Sequence, residues 1–186
     1  MSFTTPVRPS RAVLVLGGAR SGKSRYAQAL AEGAGKAPVL IATARIEDEE
    51  MQARVARHRD ERGAVWQTIE EAMQLAEVLR HEADQARILL VDCLTLWLSN
   101  IMLAGEDVAA LTAELANTVP NLRGPVIFVT NEVGNGIVPD NALARRFRDA
   151  QGRLNQAMAA ACDTVVLVTA GLPLQMKPAA SPNLRF

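Results

Sequence analysis

The sequence predicts an α/β protein, a mostly parallel sheet with helices on both faces, built around a phosphate-binding loop. Three observations carry that expectation. Short, continuously apolar runs such as AVLVL, PVLIAT and ILLVD read as strands buried on both faces. They alternate with stretches of helical period, the order that produces parallel strands joined by helices. The first apolar run leads directly into GGARSGKS, where Gly17, Gly22, Lys23 and Ser24 match the phosphate-loop pattern G-x-x-x-x-G-K-[ST].

Taken in order, residues 1–11 carry Ser, Thr and two prolines and read as a loose tail. Strand one is Ala12 to Leu16, and the helix after the loop runs from about Lys23 to Glu32, stopped by Gly33 and Gly35. Pro38 to Thr43 is a second buried-type strand. A charged helix spans about Glu47 to Arg62, with Met51, Val55 and His58 on one face. Val65 to Glu70 reads as a short strand or an extended link. A helix follows from about Glu71 to Ala83, then strand Ile88 to Asp92 and the apolar helix LTLWLSNIML. A polar helix covers about Asp107 to Val119, and Pro125 to Glu132 is again a buried-type strand. The longest helix follows Pro139, which suits a first-turn position, and reaches Ala161. Thr164 to Gly171 is the last strong strand. One domain is expected over residues 12–177, with a second tail at 178–186.

Composition limits the function. The 186 residues are 49% apolar and 22% charged, ordinary for a globular domain with a sizeable core. A formal net charge of zero argues against a nucleic-acid binder that relies on a basic surface. Cys93 and Cys162 form no metal-ligand spacing and read as reduced core thiols. No apolar run approaches membrane-spanning length and the N-terminus lacks a signal-type apolar core, so the expected compartment is the cytoplasm.

The loop Gly17, Gly18, Ala19, Arg20, Ser21, Gly22, Lys23 and Ser24 has the chemistry a nucleoside triphosphate needs. Its glycines let N–H groups face inward as a nest, and the helix opening near Gly22 adds its positive dipole end. Lys23 meets the outer phosphates, and Ser24 offers a hydroxyl to Mg²⁺. Asp92, delivered to the sheet edge by ILLVD, reads as a Walker-B-type acid holding Mg²⁺, against the alternative of a cap for the helix at Leu94. His58 is one of two histidines. By spacing it is a half-buried face residue, but Arg54, Arg57, Arg59 and Arg62 surround it. Such a neighbourhood would hold the imidazole neutral and nucleophilic, unless those arginines are a solvated face paired with Glu49, Glu50, Asp60 and Glu61. His81 has no such company. The segment Thr130 to Gln156 is either a strand-to-helix crossover or a substrate-facing loop, with Asn131 and Glu132 at a strand's carboxyl end.

Together these stretches resemble one family, the bifunctional adenosylcobinamide kinase / adenosylcobinamide-phosphate guanylyltransferases of cobalamin biosynthesis, over nearly the whole chain from Ala12 to about Lys177. GGARSGKSRYA resembles the family's phosphate loop, and IATAR its second strand and turn. DEEMQARVARHRDER is similar to the helix bearing the guanylylated histidine, with His58 at that position. VDCLT resembles the Walker-B segment, and TNEVGNGIVPDN with FRDAQGRLNQ the most characteristic block.

The resemblance implies a RecA-like fold and two reactions: phosphorylation of the aminopropanol hydroxyl of adenosylcobinamide by ATP or GTP, then transfer of GMP from GTP onto that phosphate. It implies nucleotide contacts at Gly17 to Ser24, Thr43, Ala44, Arg45, Arg59, Asp60, Glu61, Arg62, Glu70 and Asp92. Lys23 and His58 would be the catalytic residues, with Mg²⁺ on Ser24 and Asp92. It also implies a homo-oligomer, a trimer. The departures are an N-terminal extension of about ten residues and Gly63 where proline often follows the arginine. A nucleotide-dependent regulatory switch, or a kinase without the transferase half, would need the phosphate loop and Asp92 but no nucleophilic histidine.

Overall fold

A computed structural model describes residues 11–45 and 65–178 of the chain. Each continuously apolar run forms a strand: β1 (Ala12–Gly17), β2 (Ala37–Ala42), β4 (Arg87–Asp92), β5 (Val126–Asn131) and β6 (Thr164–Thr169). The ambiguous VWQTIE forms β3 (Gln67–Glu70). A strand that the apolar pattern does not signal, β7 (Leu172–Lys177), completes the sheet. Its first five residues are exposed, so it lacks the double-sided burial that marks the others. Its origin is the turn before it, where Ala170 and Gly171 at φ 52° and 80° fold the chain back on β6.

The sheet has seven strands in the order β3-β2-β4-β5-β1-β6-β7. The first six run parallel, and only β7 is antiparallel, paired with β6. Parallel neighbours need crossovers. Within the described residues these are supplied by α1 (Lys23–Glu32), α2 (Leu75–Glu82), α3 (Leu94–Leu103), α4 (Val108–Thr118), a 3-10 turn Val119–Asn121, and α5 (Ala142–Ala161). The expected helix over about Glu47 to Arg62 lies outside the described residues.

Alternation along each strand sends side chains to two apolar layers. Leu14 and Leu16 of β1, Leu89 and Val91 of β4 and Phe128 of β5 pack with Leu79, Trp97, Ile101, Leu115, Leu154 and Met158 from α2 to α5. Val15, Leu40, Leu90, Ile127, Val129 and Val166 face the other way, onto Ala27 and Ala31 of α1. Helices thus cover both faces, unequally among the described residues. Burial of each large side chain contributes about 1.5–3 kcal/mol. None of the described helices is long and apolar enough to cross a membrane.

Two helix starts differ from expectation for local reasons. The helix expected from Glu71 begins at Leu75, because Glu71 Oε1 accepts from the N–H groups of Met73 (2.7 Å) and Gln74 (2.8 Å) and closes a turn first. Pro139 is not in the first turn of α5. Asn141 is the N-cap, its Oδ1 accepting from Ala144 N at 2.7 Å. The carbonyls of Pro139 and Asp140 take Arg145 Nη1 instead (2.9 and 2.7 Å).

The far end of α5 is held by β7. Lys177 Nζ donates to the carbonyls of Ala159 (2.9 Å), Ala160 (3.0 Å) and Cys162 (2.6 Å), the acceptors a helix C-terminus leaves unsatisfied. Lys177→Met is therefore expected to destabilise the protein by about 1–2 kcal/mol, read as a lower urea midpoint at unchanged slope; an unchanged midpoint would mean that water caps the helix equally well. Burial pushes the neighbouring Cys162 thiol up to about 12, from 9.0. Between those values the unfolded chain loses this proton while the folded chain keeps it, so stability falls as pH rises through that window. Urea titrations at pH 8 and pH 10 should show a smaller loss in Cys162→Ala than in the parent chain.

Candidate functional site

The site is assembled at the carboxyl ends of the parallel strands, where such sheets open towards ligands. Register puts Gly17, the last residue of β1, beside Asn131, the last of β5. On the other side Asp92, ending β4, lies beside Ala42, which in turn pairs with Glu70 at the end of β3. Thr43, Ala44 and Arg45 continue from β2. Gly17, Thr43, Glu70, Asp92 and Asn131 therefore reach one edge at the ends of five consecutive strands, β3-β2-β4-β5-β1. His58, Arg59, Asp60, Glu61 and Arg62 lie outside the described residues.

The phosphate loop is shaped by close main-chain packing. A side chain on Gly17 would collide with Ser21 Oγ and come within 2.6 Å of Val168 O, so only glycine allows β1 to pass β6 and the loop to fold back there. Gly22, the N-cap of α1, takes φ 95°, a left-handed conformation that other residues reach with strain. Arg20 takes φ 55°. Ser21 N donates to Gly18 O (3.3 Å), and Lys23 Nζ donates to the same carbonyl (3.1 Å), which lays its ammonium along the loop. Gly18, Ala19 and Arg20 are exposed on the rim, while Ser21 to Ser24 are half-buried. Ser24 is in the first turn of α1, whose N-terminal N–H groups and dipole favour an anion.

Asp92 ends β4 half-buried, and the N-cap position of α3 is the next residue, Cys93, with no side-chain capping bond of its own. Burial raises the Cys93 thiol, the Asp92 carboxylate adds to that, and backbone N–H groups of the first turn of α3 and the Lys23 ammonium oppose it. Thr43, fully buried, clamps the same junction. Its hydroxyl donates to Cys93 O (2.7 Å) and accepts from Cys93 N (2.9 Å), across a cis Asp92–Cys93 peptide. Thr43 is thus placed as a brace for the strand carrying Asp92, with its side chain engaged by protein.

Residues outside the sequence expectations hold this edge. Asn100 Nδ2 donates to Thr43 O (2.8 Å) and Ala72 O (3.1 Å), and Thr95 Oγ1 accepts from Asn131 N (2.9 Å). The available signal for Asn100 was a lone amide in the apolar run LTLWLSNIML. Gln151 and Asn155 are buried rather than turned to a substrate. Gln151 Nε2 donates to Thr130 Oγ1 and Asn155 Oδ1 (both 2.9 Å), and Asn155 Nδ2 donates to Asn131 O (3.0 Å). Two polar residues of FRDAQGRLNQ, Gln151 and Asn155, therefore fasten α5 to the end of β5. Asn131 Oδ1 is a buried acceptor without a partner at this edge. His81 is exposed beside Glu82, far from loop chemistry (Nδ1 to Oε1, 2.7 Å).

Over this geometry the comparisons are specific. The family model described as "Cobinamide kinase / cobinamide phosphate guanyltransferase" matches residues 13–176. The chain belongs to that family. Among curated members, the bifunctional adenosylcobalamin biosynthesis protein CobP of Pseudomonas aeruginosa is 49% identical over 167 residues, covering 88% of this chain and 96% of that protein. The bifunctional adenosylcobalamin biosynthesis protein CobU of Salmonella typhimurium is 43% identical, covering 89% and 99%. Solved structures add the fold alone. An ATPase of a bacterial type III secretion system aligns at TM-score 0.51 and 14% identity, over 89% of this chain and 56% of its own. A structural-project protein of Pyrococcus horikoshii aligns at 0.53 and 12%, over 94% of both. The RecA-like phosphate-loop class expected from the family resemblance agrees with the sheet.

Membership of this family makes the charge at Lys23 the first one to test. Lys23→Ala is expected to lower cobinamide phosphorylation by about 100-fold or more, because the lysine would meet charge that grows in the transition state while the loop backbone keeps its shape. A thermal melt run alongside should stay within a few degrees of the parent; a folded variant with near-normal turnover would remove Lys23 from catalysis.

Proposed function

We propose that this chain phosphorylates adenosylcobinamide with ATP or GTP and then guanylylates the product through a histidine intermediate on His58. The observation that carries the reading is the convergence of a phosphate-loop nest, Lys23 and Asp92 on one sheet edge in a chain of this family. In the first reaction the aminopropanol hydroxyl oxygen attacks the γ-phosphorus and the β–γ bridging P–O bond breaks, releasing the nucleoside diphosphate and the hydroxyl proton. The nest at Gly17 to Ser24 would hold the phosphates in line, with Lys23 against the oxygens that gain charge.

In the second reaction a neutral imidazole nitrogen of His58 attacks the α-phosphorus of GTP, and pyrophosphate leaves. A phosphate oxygen of adenosylcobinamide phosphate then attacks the histidine-bound GMP, the P–N bond breaks, and adenosylcobinamide-GDP is released. Covalent catalysis divides a difficult transfer between two anionic partners into two displacements. The arginines in sequence around His58 would neutralise phosphate charge. Arg45, Arg59, Asp60, Glu61, Arg62 and Glu70 are assigned to nucleotide contacts in the same reading.

Mg²⁺ fits the donors available, a hydroxyl at Ser24 and one carboxylate at Asp92; this ion takes one or two protein oxygens and fills its shell with phosphate and water. When bound it would offset polyphosphate charge. Among the described residues there is no group of three or more His, Cys, Asp or Glu side chains placed for a dedicated metal cage. The proposal includes a cytoplasmic enzyme, where ATP and GTP are at hand, acting as a homo-oligomer, a trimer by family resemblance.

The test is retention of label on denatured protein. Label from α-labelled GTP should remain bound and label from γ-labelled GTP should not; the adduct should be labile in acid and stable in base, as a phosphoramidate is. His58→Ala should lose the adduct and guanylyl transfer yet keep part of the kinase activity. Equal labelling of His58→Ala would refute the assignment.

A further inference from the structure

The turn between β6 and β7 supports the phosphate loop from behind. Gly171 N donates to Ser21 O at 2.8 Å. A Cβ on Gly22 would stand 3.3 Å from Gly171 Cα, so the two main chains pack directly on one another. Gly22 and Gly171 hold φ 95° and 80° to make this approach, and Ala170 holds φ 52°. Nothing in the G-x-x-x-x-G-K-[ST] pattern requires such a partner, and the turn belongs to none of the blocks that carry the family resemblance's nucleotide contacts.

The consequence follows from peptide geometry. In a planar trans peptide the C=O and N–H point in opposite directions. With the Ser21 carbonyl held towards Gly171, the N–H of the same peptide unit, that of Gly22, must face away from the turn. The β6 backbone limits the loop in the same sense, since Val168 O occupies the space beside Gly17. A flipped Ser21–Gly22 peptide would present a carbonyl oxygen, not an N–H, to an anion.

We infer that the Ala170–Gly171 turn is a positioning element of the nucleotide site: it fixes the Ser21–Gly22 peptide so that the Gly22 N–H is available to a bound triphosphate. The inference rests on reading Gly17 to Ser24 as the phosphate site. One net backbone hydrogen bond corresponds to about 2- to 10-fold in the population of the competent loop, and the same factor should appear in nucleotide affinity.

The test compares Gly171→Asn with Gly171→Val by steady-state kinetics in GTP and in cobinamide, with the parent chain and Lys23→Ala in parallel. A Cβ at position 171 has room, its nearest neighbour being Arg25 Nη2 at 3.6 Å. Only the left-handed φ discriminates, since asparagine tolerates it and valine does not. Gly171→Val should raise the KM for GTP about 5- to 10-fold and leave the KM for cobinamide unchanged. Gly171→Asn should stay within about 2-fold of the parent. General destabilisation would lower the active fraction, and hence kcat, without moving one KM alone.

Should Gly171→Val not fold, the full chain can be made by ligating a synthetic 162–186 segment at the thiol of Cys162, with glycolic acid replacing Gly171. That ester removes one N–H and no side chain, and the same rise in GTP KM is expected relative to the ligated all-amide chain. A folded Val or ester chain that saturates at the parent's GTP concentration overturns the role of the turn alone. A parent chain with no saturable GTP dependence, or an unaffected Lys23→Ala, overturns the phosphate-loop reading and the inference with it.

Discussion

The site depends on the passage of β1 between β5 and β6 at full burial. Leu14 and Val15 are completely enclosed, on opposite faces, and the strand ends where Gly17 has Val168 O against its bare Cα. Two parallel ladders hold this position, one through Val126 to Asn131 and one through Thr164 to Leu167. A loop that binds anions through backbone N–H groups cannot adjust a side chain to correct an error, so its aim is set by the strand that carries it. The burial of β1 therefore serves the core and sets the loop's geometry at once.

Strand order decides which chemistry meets the loop. β4 is separated from β1 by β5, so Asp92 approaches across the end of β5, where Asn131 stands. The spacing is maintained by polar contacts in a region the core cannot reach: Thr43 to Cys93, Thr95 to Asn131, and the Thr130, Gln151 and Asn155 group under α5. Buried amides and hydroxyls of this kind are costly unless satisfied, and here most of them are. Their satisfaction fixes the strand ends relative to one another, and with them the separation of Gly17 from Asp92.

The strands were the most legible part. AVLVL, PVLIAT, ILLVD, PVIFVTNE and TVVLVTAG each became strands, because burial on both faces leaves an uninterrupted apolar run. β7 was not legible, since it is exposed and depends on a left-handed turn at Ala170 and Gly171 for its existence. Helix starts shifted where a side chain offered a better partner for free N–H groups, Glu71 before α2 and Asn141 before α5. The polar block FRDAQGRLNQ carried two readings, and Gln151 and Asn155 turned inward to the end of β5. Period and polarity cannot distinguish an amide that contacts a substrate from one that ties a helix to a strand.

By itself the sequence determined the alternation of strands and helices, the phosphate loop, the carboxylate that ends β4 and the family. These are local properties: apolar runs, glycines at fixed offsets and short motifs state them without reference to distant residues. Only the tertiary structure decided that Thr43 braces Cys93, that Asn100 ties the β2 edge to α3, that Lys177 caps α5 and that Gly171 holds Ser21. Each of these joins groups far apart in the chain through a backbone atom, and a backbone carbonyl or N–H is the same in every residue. No pattern of side chains records it; chain packing alone brings the partners together.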